Sequence, residues 1–225
     1  MSMAKPPGFP RSCSRPMGVG PGRLFGRLGL PALMAALLLL PLQAAALELG
    51  DLMGLLAQRQ SGDARFTEER FVQGLEQPLS SSGMLSFSAP DRFSRRTLQP
   101  RAESMTVEGQ RVTLERNGRK RQMALDAVPE MGAILTAVRG TLTGNADALR
   151  EAFVPTVSGQ ASAWTLVLTP RDDRLQAVIR QLRIEGRQSD MRRVEVMLTD
   201  GDRSVMSILP LAAGEAPQGR AASAP

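Results

Sequence analysis

Between Ser80 and Pro100 the chain reads SSSGMLSFSAPDRFSRRTLQP, a stretch that folds most readily as two strands around a proline-bearing bend. Leu85, Phe87 and Ala89 alternate with Met84, Ser86 and Ser88, and a period of two places each set on one face of a sheet. Pro90 has no backbone donor and interrupts the ladder. Ala89 to Arg92 are therefore expected at a bend, with Phe93 opening a return strand that runs through Leu98.

More strands follow. Ser104 to Glu108 and Arg111 to Glu115 flank Gly109-Gln110, and Arg119 to Leu125 follows Asn117-Gly118, a pair that tolerates the positive φ of a type I′ hairpin turn. Their apolar members, Met105, Val107, Val112, Leu114, Met123 and Leu125, face polar neighbours on the opposite side, the pattern of a sheet with one buried face. Trp164 to Thr169, Val178 to Glu185, Arg192 to Thr199 and Arg203 to Leu209 provide four more strands, with Glu185-Gly186 and Asp200-Gly201 as connections. Upstream, Ala64 to Val72 reads as a strand whose Phe66 and Phe71 break strict alternation, which predicts a bulge or a short helical start.

Helical periodicity appears in two places. Leu47 to Ala57 has Leu49, Leu52, Met53, Leu55 and Leu56 at helical spacing, with Asp51 early and Arg59 late to suit the macrodipole, and Ser61-Gly62 ends it. From Asp126 to Gly144 the period changes to three and four residues through Met131, Ile134, Leu135, Val138 and Leu142; a shorter helix is expected over Asp147 to Phe153, before Val154-Pro155, and a helical turn within Pro170 to Gln176.

Residues 1–46 carry Lys5, Arg11, Arg15, Arg23 and Arg27 with no acid, then the apolar run Leu28 to Leu42 and an Ala-x-Ala site ending at Ala46. These are the parts of a secretory signal, with cleavage expected after Ala46. Without those five basic residues, 23 basic and 22 acidic residues remain, a net charge near +1, so most of the whole-chain surplus of +6 belongs to the signal. A nucleic-acid partner is not expected, because a basic surplus with aromatic platforms on one face is missing. The runs Arg92, Arg95, Arg96 and Arg116, Arg119, Lys120, Arg121 read as the solvated outer face of strands, where charge discourages edge-to-edge pairing, the rival reading being contact with an acidic membrane surface or partner. Three segments result: 1–46 as signal peptide, 47–210 as one domain, and 211–225 as a disordered tail poor in large apolar side chains.

The sequence contains no histidine and no tyrosine, and its single cysteine, Cys13, lies inside the expected signal. Ser-His-Asp and Cys-His sites cannot be assembled, and zinc or copper would lack the preferred ligands, so neither a catalytic nor a metal site is expected. Asp172-Asp173 and Asp200-Gly201-Asp202 read as turn residues.

Ser82-Gly83, the strand Leu85 to Ala89, Pro90 with Phe93 three residues on, Pro100, the Val107-x-Gly109 turn, a central helical segment and the C-terminal hairpins resemble, in order and spacing, the LolA family of periplasmic carriers of outer-membrane lipoproteins. The resemblance covers roughly Leu47 to Leu209. It implies a mainly β, α+β fold: an incomplete antiparallel β-barrel or curved sheet around a hydrophobic cavity, covered by short helices that act as a lid. It further implies a monomeric, non-enzymatic periplasmic protein without cofactor, which takes a lipid or the acyl chain of a lipoprotein from an inner-membrane transporter to an outer-membrane acceptor. The alternative is a non-catalytic interaction module of the same fold that binds an envelope protein. From alternation and helical spacing, Leu85, Phe87, Phe93, Met105, Val107, Leu114, Leu135 and Trp164 are expected to line the cavity. The family's lid-holding arginine stands directly before the proline; here that place is Ala89, and the Trp and Tyr that follow the turn are replaced by Val112-Thr113-Leu114. The lid is therefore expected to open easily unless Arg92 or Arg95 supplies the missing contact.

Overall fold

The computed structural model describes residues 47–212 apart from residue 128 and the side chains of 126 and 129. The expected signal and most of the expected tail lie outside this range. Helix α1 (Leu49–Leu56) is followed by six strands, β1 (Ser61–Phe71), β2 (Leu79–Ser88), β3 (Arg92–Gln99), β4 (Glu103–Glu108), β5 (Arg111–Arg116) and β6 (Arg119–Ala124). A 3-10 turn (Leu125–Ala127) leads into helices α2 (Pro129–Thr143) and α3 (Ala146–Ala152), then β7 (Phe153–Gln160), β8 (Ala163–Pro170), the short α4 (Asp173–Gln176), β9 (Ile179–Arg187), β10 (Asp190–Leu198) and β11 (Arg203–Pro210). All eleven strands form one antiparallel sheet in the order β6-β5-β4-β3-β2-β1-β11-β10-β9-β8-β7. The sheet is curved and unclosed, as expected for an incomplete barrel.

Register explains which side chains meet inside. Ala64 pairs with Leu85, Leu85 with Arg95, Arg95 with Met105, Met105 with Leu114 and Leu114 with Arg121, so one row crosses six strands on a single face. The two phenylalanines of β1 need no bulge: the strand pairs without a register shift on either side, Phe66 is buried on the inner face, and Phe71, five residues on, points to the opposite face, where Arg203 stacks on its ring at 4.5 Å. Ser61-Gly62 begins this strand rather than ending the helix. Arg59 likewise lies beyond α1 and pairs with Asp190 at 2.8 Å, tying the helix exit to the start of β10.

The larger core lies beneath the helices. Leu52, Met53 and Leu56 of α1, Ala133 and Ala137 of α2 and Leu149 of α3 pack with Phe153, Leu166, Leu168, Leu182 and Ile184 of β7 to β9. A second cluster joins Val107, Val112, Leu125 and Leu135 beside the β4–β5 hairpin. Hairpin turns agree with the sequence at Asn117-Gly118, both at positive φ (52° and 71°), whereas Gly186 sits within β9 and the turn falls at Gln188, φ 50°. A Cβ at Gly186 would collide with the Trp164 ring and with the Asp190 carbonyl. This glycine is thus required by a cross-strand aromatic contact, not by a bend. Strand β7 was not expected from the sequence, where Val154-Pro155 reads as a helix exit. As the edge strand it tolerates proline, whose missing donor costs no ladder bond on the open side.

Gly186→Ala should therefore lower stability by about 1–3 kcal/mol through overpacking, while Gly54→Ala on the open side of α1, where nothing lies within 4 Å, should raise it by about 0.5–1 kcal/mol. Urea midpoints of the two variants check this; an unchanged midpoint for Gly186→Ala would contradict the packing described.

Candidate functional site: an apolar cavity under helix α2

Helix α2 divides its circumference between two neighbours. Ala133, Ala137 and Thr141, at four-residue spacing, are buried, and the two alanines join the main core. Ile134, Leu135, Val138 and Leu142 face a cavity of about 700 Å3 between the helix and the sheet, within the usual range for a ligand pocket of about 300–1,000 Å3. Across from them stand Leu85 and Phe87 of β2, Phe93 of β3, Val194 and Val196 of β10, and Met206 and Ile208 of β11.

The C-terminal end of α2 is closed by backbone and side-chain contacts. Asn145 N–H closes onto the Gly140 carbonyl at 2.8 Å, Gly144 takes the left-handed conformation (φ 65°), and the Asn145 side chain caps α3 by accepting from Ala148 N at 3.0 Å. A Cβ on Gly144 would strike the Met53 carbonyl, so α1 and the end of α2 approach as closely as they do only at a glycine. Along the helix, Arg139 Nη2 donates to the carbonyl of Gly109 at 2.6 Å, linking α2 to the β4–β5 turn, and Leu125 N–H donates to the Gln110 carbonyl at 2.9 Å beside it. Arg92 and Arg95 do not hold the helix: Arg92 pairs with Glu108 and Arg95 with Glu68. The contact between α2 and the β4–β5 turn is made from the helix side instead, by the Arg139 guanidinium and the Gly109 carbonyl.

One part of the cavity is polar. Glu68 accepts from Arg95 Nη2, from Ser204 Oγ and, at 3.3 Å, from Ser81 Oγ, while the Arg95 guanidinium stacks 4.7 Å from the Phe66 ring centroid. A carboxylate this enclosed needs such partners, since removing one would leave a charge without compensation. Asp202 accepts from Gln73 N–H and Asp200 accepts from Asp202 N–H, both at 2.9 Å, and Asp172 caps α4, so these aspartates serve turns and caps. Among the described residues no three acidic side chains gather closely enough to hold a metal ion.

Of the eight side chains expected to line the cavity, Leu85, Phe87, Phe93, Met105 and Leu135 do so. Three lie elsewhere. Val107 is 1% exposed within the second cluster. Leu114 lines a separate recess among β3 to β6. Trp164 is 2% exposed in the main core, with Nε1 donating to the Gln188 carbonyl at 2.9 Å. Alternation places a residue on a face without saying whether that stretch of the face meets helix or void, so the pattern covers these three as readily as the cavity wall. The wall of β10 and β11 was missed; the clean alternation of Val194, Val196 and Leu198 was its available signal.

The profile of a family described as outer membrane lipoprotein carrier protein LolA-like matches residues 42–224. The chain belongs to that family. A search of curated proteins finds no match. Among solved structures, a LolA superfamily protein from Nitrosomonas europaea is 9% identical, with a TM-score of 0.40 over 72% of this chain and 92% of that one. A putative outer membrane lipoprotein-sorting protein domain from Vibrio parahaemolyticus is 9% identical, with a TM-score of 0.40 over 77% and 94%. A chain of the Pseudomonas aeruginosa MucA/MucB complex is 17% identical, with a TM-score of 0.40 over 73% of this chain and 58% of that one. No helix among the described residues is long and apolar enough to cross a membrane.

Arg139→Ala should speed amide hydrogen exchange across α2 at least tenfold, because a hydrogen bond from a charged donor contributes about 1.5–3 kcal/mol. Arg92→Ala removes a pair with Glu108 whose side chains are 69% and 54% exposed and should leave α2 exchange unchanged. Equal exchange in wild type and Arg139→Ala would show that this contact does not hold the helix.

Proposed function

We propose that this protein is a non-catalytic periplasmic carrier, which holds an acylated cargo, a lipid or the acyl chain of a lipoprotein, in the cavity beneath α2. The single observation that carries this reading is the lining: methionine and aliphatic side chains from α2, β10 and β11 and aromatic rings from β2 and β3 face one another across about 700 Å3. Unbranched and flexible side chains adapt to an alkyl chain at little cost. Each methylene withdrawn from water contributes about 0.8 kcal/mol, so binding grows with chain length while no bond is made or broken. In this reading α2 is the movable cover, with Arg139 on Gly109 as its fastening, and cargo passes from an inner-membrane transporter to an outer-membrane acceptor after export directed by residues 1–46. The protein works as a monomer. Membership of the LolA-like family supports the same reading.

The test combines cargo and cavity. Organic extracts of the purified protein, analysed by mass spectrometry, should contain a lipid in near-stoichiometric amount. Met206→Trp, which projects a large ring into the cavity, should weaken binding of the neutral probe N-phenyl-1-naphthylamine at least tenfold with little change in the urea midpoint. Undiminished probe binding by a folded Met206→Trp variant would contradict cargo binding at this place.

A further inference from the structure

Beside the apolar cavity lies a second recess of about 920 Å3, formed on the inner face of β3 to β6. The two share Arg95, Met105 and Met131, so these three side chains stand between them. Their chemistry differs sharply. The recess is rimmed by Arg116, Arg119 and Arg121, none of which forms an ion pair among the described residues. Register places all three on the face of Arg95 and Thr97: Thr97 pairs with Glu103, Glu103 with Arg116 and Arg116 with Arg119, while the row through Arg95 ends at Arg121. Lys120, between them, points to the other side, where it meets Glu115 at 3.5 Å. Glu103 offsets one of the three free guanidinium charges.

Charge on an edge strand is usually a guard against aggregation. Two buried atoms in this recess call for more. Thr97 is only 4% exposed, and its Oγ1 has no hydrogen-bond partner among the described residues. Arg95 Nε, two residues away on the same face, is buried and equally unanswered, although Nη2 of the same side chain is engaged by Glu68. Buried polar atoms in folded proteins are nearly always satisfied. An unanswered hydroxyl and an unanswered guanidinium N–H, two residues apart on one strand face and framed by three further guanidinium groups, form a donor set that an oxyanion would complete.

Resting on the carrier reading above, we propose that the recess is a headgroup site and that the cargo is an amphiphile with an anionic oxyanion head, phosphate or carboxylate, next to its acyl chain. The chain fills the cavity under α2. The head reaches past Met105 and Met131 to Arg95 Nε and Thr97 Oγ1, with Arg116, Arg119 and Arg121 neutralising its charge.

Displacement of N-phenyl-1-naphthylamine from the full chain separates the possibilities. Hexadecyl phosphate and hexadecanoate should each displace the probe at about tenfold lower concentration than hexadecanol, and their order tells which oxyanion is preferred; inorganic phosphate alone should displace nothing. The double variant Arg119→Gln/Arg121→Gln, altered only at exposed side chains, and the near-isosteric Thr97→Val should each reduce the anion advantage severalfold without changing the hexadecanol midpoint. Equal displacement by the anions and the alcohol in the wild type overturns the headgroup site and leaves the apolar carrier reading standing. An anion advantage that survives in both folded variants also overturns it, and so does displacement by inorganic phosphate. A wild-type protein that fails to bind the probe removes the carrier reading and the headgroup site together.

Discussion

Ala133, Ala137 and Gly140 allow α2 to lie close against α1 and α3, and a Cβ at Gly140 would already crowd the Leu149 side chain. That close approach sets everything else. With its small residues committed to the helix layer, the helix presents its larger ones, Ile134, Leu135, Val138 and Leu142, to the sheet. The sheet curves away faster than these side chains can follow. A second cluster under Leu125 and Leu135 takes up one end of the gap, the main core takes up the other, and the apolar space between them is left unfilled. Interiors are normally packed to the density of organic crystals, and lining atoms without partners forfeit dispersion energy. An apolar cavity of this size is therefore a cost that an occupant would relieve.

The same geometry accounts for the polar fastening. An open sheet with a helix laid over it lacks the cooperative closure of a barrel, so the free side of α2 must be held by discrete contacts. Arg139 on the Gly109 carbonyl is one, and the backbone bond from Leu125 to Gln110 is its neighbour. Both reach the β4–β5 turn. At the strand end before Pro90, Ala89 contributes only its backbone N–H, which donates to the Gln60 carbonyl at 2.8 Å. Glu68, joined to Arg95, Ser81 and Ser204, meanwhile gives the inner face a hydrogen-bonded polar patch in an otherwise apolar wall.

Much of this was legible before any coordinates. The hairpin around Pro90, the Asn117-Gly118 turn and the three-and-four periodicity through Leu142 identify elements because each depends on short-range chemistry: a missing donor, a tolerated positive φ, a single helical face. What stayed hidden depends on long-range pairing. Strand β7 is recognisable only once it is known to be an edge, and Gly186 reads as a turn until Trp164 is seen lying on it. Arg139 gave no signal, since an arginine on a helix is ordinary until its carbonyl partner 30 residues away is located. Within the site, face assignments transferred well for Leu85, Phe87, Phe93, Met105 and Leu135. They failed to separate cavity from core for Val107 and Trp164, because both surfaces are equally apolar.

The central claim is that an acyl chain lies between α2 and the β10–β11 wall, and paramagnetic broadening reads it directly. With a doxyl-labelled stearate added to methyl-labelled protein, the account predicts strong broadening of Ile134, Val138, Val196 and Met206 methyls, while the methyls of the core residues Leu149 and Leu166 stay sharp. Broadening confined to the exposed Leu75, Leu79 and Leu209, with the cavity methyls unaffected, would contradict it.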